Sequence, residues 1–248
     1  MLRVDQYNPK ALALADRLRQ DLDESVLPED LCVAVGGDGW MLSCIRDLGP
    51  QMTYLGLNAG HLGFLLNDIR ELDKVQQQIR QRRWTAFPFP RLGMQATAPD
   101  GTIHHARAVN DLYAERSTGQ TAHLRVCIDG QVVVERLVCD GLLTATALGS
   151  TAYSYSAGGV PTHPMVRAVQ VTPVCPHAPR LSPFILPENA LIEIEALETH
   201  RRPVRAVADG LDIGPMTHMR VQVEDEIRLA FLEDHHYTQM LISKVLKS

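Results

Sequence analysis

Four residues, Gly36-Gly37-Asp38-Gly39, combine room for a phosphate with a group able to take a proton. Glycines between a buried strand and a helix let backbone N–H groups approach an anion closely, and the helix N-terminus adds partial positive charge. At the carboxyl end of a parallel strand this is the usual phosphate-holding geometry. It is not a P-loop, because no Gly-Lys-Ser/Thr follows. Asp38 is the odd member. A carboxylate beside phosphates repels them unless a metal intervenes or it accepts a proton from an attacking hydroxyl, and both roles belong to phosphoryl transfer. On the tetrapeptide alone a plain helix cap stays open, since Asp caps helices very often.

A second constellation begins at Asp140-Gly141-Leu142 and runs to Gly158-Gly159. Between Gly149 and Gly159 nine of the residues are small or carry a hydroxyl, and only Tyr153 and Tyr155 are bulky. Such a stretch lets a planar ligand approach the backbone and offers it hydrogen bonds; a flexible Gly/Ser loop is the plain alternative. A hydrolase elbow, G-x-S-x-G, fails at Ser156 because Ser154 stands where the first glycine belongs. The pairs His104-His105 and His235-His236 lack metal-binding spacing, since neighbours on a strand point to opposite faces. Arg80, Arg82 and Arg83 read as a solvated helix end, and Glu224-Asp225-Glu226 as a turn.

These residues need elements to position them. Asn8-Pro9 is a helix start, and Leu14, Leu18 and Leu22 follow at helical spacing. Leu31 to Val35 is a continuous apolar run, suited to a strand covered on both faces, and it ends in the glycine turn. Trp40 to Leu48 is helical in pattern. Thr53 to Leu57 repeats the strand, and Leu72, Val75 and Ile79 mark another helix. Helix and strand alternate to about Arg83, which predicts a small open parallel sheet. From Pro88-Phe89-Pro90 the apolar period is mostly two, with Asp-Gly pairs at residues 100, 129, 140 and 209. That pattern predicts short strands and tight turns, with Asp129-Gly130 as a hairpin. Tyr237 to Leu246 is helix-like and suited to rejoin the first part.

The bulk numbers set bounds. At 248 residues the chain can bury a real core, and 45% hydrophobic with 21% charged residues is ordinary globular composition. A net charge of -5 gives no general attraction to nucleic acid or an anionic membrane. Five scattered cysteines suit a reducing compartment, and Arg3 and Asp5 interrupt any signal-peptide core, so a cytoplasmic protein is expected. No apolar run approaches membrane-spanning length.

Taken together the motifs resemble the NAD kinase family over nearly the whole chain. Gly36-Gly37-Asp38-Gly39 is similar to its signature turn, and Gly56-Leu57-Asn58-Ala59-Gly60-His61-Leu62-Gly63-Phe64-Leu65 to its G-x-N-x-G-x-L-G-F-L. Asp140-Gly141-Leu142 and Gly149-Ser150-Thr151-Ala152-Tyr153-Ser154-x-Ser156-Ala157-Gly158-Gly159 resemble its most distinctive block. The tetrapeptide occurs in other kinases, whereas the three blocks in this order are highly specific.

The resemblance implies an N-terminal α/β domain over 1–90, completed by about 235–248, and a β-sandwich over 91–234 that binds dinucleotide, with a site between them. It implies Asp38 as the base that deprotonates the adenosine ribose 2′-hydroxyl of NAD. Gly36, Gly37 and Gly39 would approach the donor phosphates. Gly39, Asn58, Phe64, Asn110, Asp111, Asp140, Thr151, Ala152, Tyr153, Ser156 and Asp209 would contact NAD. ATP or polyphosphate would be the donor, with Mg²⁺ or another divalent cation, though the resemblance assigns that metal no protein ligands. A homo-oligomer, dimer or tetramer, would be the working form, without nucleic acid or membrane.

This chain departs from the family pattern in two places. Asn110-Asp111 stands where Asn-Glu is usual, so the carboxylate is one methylene shorter; Ala147-Leu148 replaces Pro-Thr before Gly149. Two other readings compete. Lipid kinases share the turn but usually continue into Thr-x-Asn-Glu, where this chain has Trp40-Met41-Leu42-Ser43. A catalytically weak NAD(P)-binding regulator would bind the dinucleotide without turnover.

Overall fold

The computed structural model describes residues 1–248 apart from 61–62, 70, 234–236, 243–244 and 246–248. The elements begin β1 (Leu2–Val4), α1 (Pro9–Asp21), β2 (Leu31–Gly36), α2 (Asp38–Leu48), β3 (Thr53–Asn58), α3 (Leu72–Arg80), β4 (Trp84–Thr97), β5 (Ile103–Ala108), β6 (Asp111–Arg116), β7 (Ala122–Ile128), β8 (Gln131–Cys139) and β9 (Gly141–Thr146). After a 3-10 turn at Leu148–Thr151 come α4 (Tyr153–Ser156), β10 (Ala168–Val174), β11 (Phe184–Pro187), β12 (Ile192–Leu197), β13 (Val204–Ala208), β14 (Leu211–Met216), β15 (His218–Leu232) and α5 (Tyr237–Leu241). The fold is mixed α/β with two sheets, and the chain divides into two compact units, Met1–Phe89 with Glu226–Ser248 and Pro90–Asp225.

In the first unit β1, β2, β3 and the end of β15 are parallel neighbours. All six residues of β2 are buried, as the unbroken apolar run requires. The Asn8 side chain accepts N–H bonds from Lys10 and Ala11 with Pro9 at the first helical position, so α1 starts where its capping residue dictates. Ala11, Ala15 and Leu18 of α1 pack with Val33, Val35, Leu55 and Leu57 of the strands and with Leu72, Val75 and Ile79 of α3. Each fully buried Leu or Ile here contributes about 1.5–3 kcal/mol. The helix read to Leu246 is described only as α5, and its remainder and the pair His235-His236 lie outside or partly outside the described residues.

The second unit is antiparallel. One sheet orders its strands β15-β12-β7-β8 with β4 paired to β5, and the other runs β11-β10-β9-β6-β13-β14. Their inner faces share one core, where Leu92, Leu124, Val126 and Ile192 meet Leu112, Leu142, Val171 and Ala206. Asp129 and Gly130 have φ of 50° and 78°, and Asp209 and Gly210 have 46° and 78°, the left-handed pairs that two-residue hairpins need.

Three expectations are corrected. Glu224-Asp225-Glu226 is no turn but the middle of the 15-residue β15. Its charges are met from elsewhere: Arg91 grips Asp225 with two bonds of 2.7 and 2.6 Å, and Arg107 bonds Glu224 at 2.8 Å. The strands are not all short, because the 14-residue β4 runs through Pro88 and Pro90. Asp140-Gly141, read with the other Asp-Gly pairs as a tight turn, instead carries the chain from β8 in one sheet to β9 in the other. Glycine is required there because a Cβ would stand 2.6 Å from the Ala114 carbonyl oxygen.

Candidate active site

Gly37 is the N-cap of α2 and Asp38 its first residue, in a first turn that has no side-chain cap. The Asp38 carboxylate instead reaches a distant loop. The Phe64 N–H donates to Oδ2 at 2.8 Å and the Leu65 N–H to Oδ1 at 3.0 Å, so both oxygens are held and the carboxyl plane is fixed. Asp38 is not a helix cap. A side chain built on Gly37 or Gly39 would meet no atom of the described residues within 4 Å, which leaves those backbones open to a ligand. Gly36 differs, since a Cβ there would lie 2.8 Å from the Trp40 ring.

The loop that grips Asp38 is itself built from local bonds. Ala59 N–H donates to the Gly36 carbonyl at 2.9 Å, and Asn67 N–H to the Gly56 carbonyl at 2.8 Å, so the chain leaves β3 and returns beside it. The Asn58 side chain accepts from Gly60 N–H at 2.8 Å and donates to Asp68 at 3.0 Å. Buried Asn67 donates to the carbonyls of Gly56 and Ala230 and accepts from Leu232 N–H. Sequence reasoning missed Asn67; its signal is an amide directly after the apolar pair Leu65-Leu66. His61 and Leu62 of the same motif lie outside the described residues.

In the second unit the structure gathers another set. Asp209 Oδ2 accepts the Val109 N–H at 2.8 Å, while Oδ1 accepts those of Asn110 at 2.8 Å and Asp111 at 3.2 Å. Thr146, part of the second constellation but given no role of its own there, donates its hydroxyl to the Val109 carbonyl at 2.7 Å and accepts from Gly149 N–H at 2.9 Å. Gly149 seats against Asn110 so closely that a Cβ would lie 2.1 Å from the Asn110 carbonyl oxygen. The short helix α4 then follows rather than a flexible loop. Ser154 bonds the Gln170 side-chain oxygen at 2.5 Å and the Thr172 hydroxyl at 2.8 Å, and the Tyr153 ring meets Tyr113 edge-on at 5.2 Å. Asn110, Asp111, Asp209 and the 149–154 segment are therefore one assembly.

Asp111 sits beside Ala145 of β9, which in turn sits beside Gln170 of β10. Burial first, and then the negative charge of Asp209, pushes the Asp111 carboxyl up to about 7. Burial also pushes the Tyr113 phenol up to about 12, with help from Asp111, and raises Tyr153. Asp140 stands apart from Asp111 in its bonding, paired with Arg116 at 2.8 Å. Thr151 and Ala152 are half-buried and Ser156 is exposed.

A family model described as the ATP-NAD kinase C-terminal domain matches residues 109–228, which include this assembly. The NAD kinase of Zymomonas mobilis is 33% identical over 243 residues, spanning 96% of this chain and 93% of the relative. That of Hyphomonas neptunium is 39% identical over 243 residues, spanning 94% and 92%. The chain belongs to the NAD kinase family. Among solved structures, yeast NADH kinase complexed with NADH shares 28% identity and a TM-score of 0.78 over 94% of this chain and 76% of that one. An NAD kinase from Archaeoglobus fulgidus in complex with ATP has a TM-score of 0.76 over 100% of this chain and 97% of that one; at 22% identity it speaks for the fold alone.

For a member of the NAD kinase family the two sequence departures both border the contact between Gly149 and Asn110 in the chain. Ala147 and Leu148 are both 3% exposed and precede the contact of Gly149 with Asn110. Asp111 is equally buried and sits beside Ala145, two residues before Ala147. Among the described residues no group of three or more His, Cys, Asp or Glu could hold a metal ion.

Proposed function

We propose that this chain transfers a phosphoryl group from ATP to the adenosine ribose 2′-hydroxyl of NAD, giving NADP, with Asp38 as general base. NAD kinase activity is what the relatives point to. The observation carrying the mechanism is the Asp38 carboxylate, held by two N–H donors from residues 64 and 65 rather than spent on capping α2. A carboxylate oriented in advance pays no ordering cost when a hydroxyl arrives. General-base assistance of this kind is worth about 10²–10⁴-fold in rate.

The other roles follow from what each residue is free to reach. Gly37 and Gly39 admit the donor phosphates, because their backbones are uncovered and stand at the amino end of α2. Gly36 lets Trp40 pack behind the turn. Asn110, Asp111, Thr151, Ala152, Tyr153 and Ser156 receive the dinucleotide. Asp209 contributes by holding Asn110 and Asp111, and Asn58 by shaping the loop that carries Phe64. Asp140 is oriented for its contact by Arg116. A cytoplasmic homo-oligomer remains the expected form; among the described residues no helix is long and apolar enough to cross a membrane.

The test is product formation. Purified protein with NAD, ATP and a divalent cation should yield NADP carrying its new phosphate on the 2′-oxygen. Diacylglycerol or a sphingoid base should remain unphosphorylated. NAD binding without NADP formation, whether ATP or polyphosphate is offered, overturns the kinase assignment.

A further inference from the structure

Asp111 is 3% exposed, yet among the described residues its carboxyl group has no hydrogen-bond donor and no cation beside it. A carboxyl so far withdrawn from bulk water, and given no donor by the fold, favours its neutral form. Every neighbouring element withholds one. On β6 itself the same face carries Tyr113 and Glu115, and Glu115 is bonded to Arg205 of β13. That guanidinium also grips Asp212, and Arg116 is paired with Asp140. The β13–β14 turn supplies Asp209, another carboxylate, whose oxygens accept three backbone N–H bonds. β9 brings Ala145 and β10 brings Gln170, whose amide donates to the Val160 carbonyl. α4 brings Tyr153, packed on Tyr113. With one carboxylate charge already on Asp209, Asp111 keeps its proton well above the usual carboxylate range, up to about 7, so it is mostly protonated at pH 6 and about half protonated at pH 7.

We propose that dinucleotide binding discharges this proton, because ribose hydroxyls of the ligand supply the donors that the fold leaves out. The change is balanced: the neutral Asp111 acid and NAD give a complex with the Asp111 carboxylate, and one proton passes to solvent. A carboxylate accepts hydroxyl bonds better than an acid does, so the ligand selects the ionised form. By linkage, the affinity for NAD then rises with pH until Asp111 is ionised in the free protein and is level above. This rests on the reading of the second unit as the dinucleotide pocket.

Isothermal titration of NAD into the intact protein, without donor nucleotide, in two buffers of different ionisation enthalpy counts the protons directly. Roughly half a proton per site should be released at pH 7, more at pH 6 and almost none by pH 8.5. Binding should be about tenfold tighter at pH 8 than at pH 6. Asp111→Asn should bind NAD with no release between pH 6 and 7. Proton uptake, or no release at pH 6 in the wild-type protein, overturns the inference while leaving the kinase reading intact, and so does undiminished release in a folded Asp111→Asn. If that variant does not fold, the wild-type release profile decides alone. Absence of NAD binding at every pH overturns the function and this inference together.

Discussion

Replacing Gly149 by Ala is the sharpest perturbation of the second-unit assembly. The added Cβ would stand 2.1 Å from the Asn110 carbonyl oxygen and 2.4 Å from its carbonyl carbon. Both are backbone atoms, so no side chain can rotate away. The Asn110 segment is also pinned from behind by the three N–H bonds to Asp209 and by Thr146. One segment must therefore shift by roughly 1 Å, and overpacking of this kind costs about 1–3 kcal/mol, here near the upper end. At about 2–4 °C per kcal/mol for a chain of this size, the melting temperature should fall by roughly 6–12 °C. A 1 Å displacement of a binding segment costs up to about 10²-fold in catalysis, so kcat/KM for NAD should drop at least tenfold while KM for ATP moves little. Thermal melts and steady-state kinetics read both. The control is Gly119→Ala, whose Cβ would meet nothing within 4 Å. Wild-type melting and an unchanged KM for NAD in Gly149→Ala would refute the claim that this contact seats the pocket.

Other expectations come from the same bonds. Asp209→Ala removes the acceptor of three backbone N–H groups; stability should fall by about 1–3 kcal/mol, measured by urea unfolding, with KM for NAD raised more than KM for ATP. For Asp111, folding lifts the carboxyl from 3.8 to about 7, so the folded chain binds more protons than the unfolded one between those values. Its contribution to stability is fully present below about pH 4, is lost as pH rises towards 7 and is level above. Relative to Asp111→Asn, wild-type unfolding free energy should therefore decline over that window by at most about 1.4 kcal/mol per pH unit. A flat difference between the two proteins from pH 4.5 to 7 contradicts it.

Local signals revealed much of the fold. The apolar run into Gly36, the Asn8-Pro9 start and the Leu72, Val75 and Ile79 spacing are short-range patterns, and the elements lie where those patterns put them. Asp129-Gly130 works the same way, since the turn chemistry is contained in two residues. What escaped was decided far away in the chain. Glu224 and Asp225 look like turn punctuation until Arg91 and Arg107, more than a hundred residues earlier, neutralise them. Pro88 and Pro90 mark the change of pattern, and the two units do divide at Phe89 and Pro90, but the single strand β4 running through them was not legible. The partners of Asp38 stand 26 and 27 residues on, and those of Asp209 stand 98 to 100 residues back, so neither bonding pattern was open to a local reading. Motif resemblance singled out Asp209 as a ligand contact, whereas its bonds show what it does within the chain.

In the proposed reaction Asp38 takes the proton of the acceptor hydroxyl. Its most direct measurement is the turnover of Asp38→Asn at saturating NAD and ATP, with NAD affinity and melting temperature measured on the same sample. An amide keeps an oxygen for one N–H bond but cannot accept the ribose proton. In this variant kcat should fall by about 10²–10⁴-fold with NAD binding retained. A folded Asp38→Asn that makes NADP at close to the wild-type rate contradicts it.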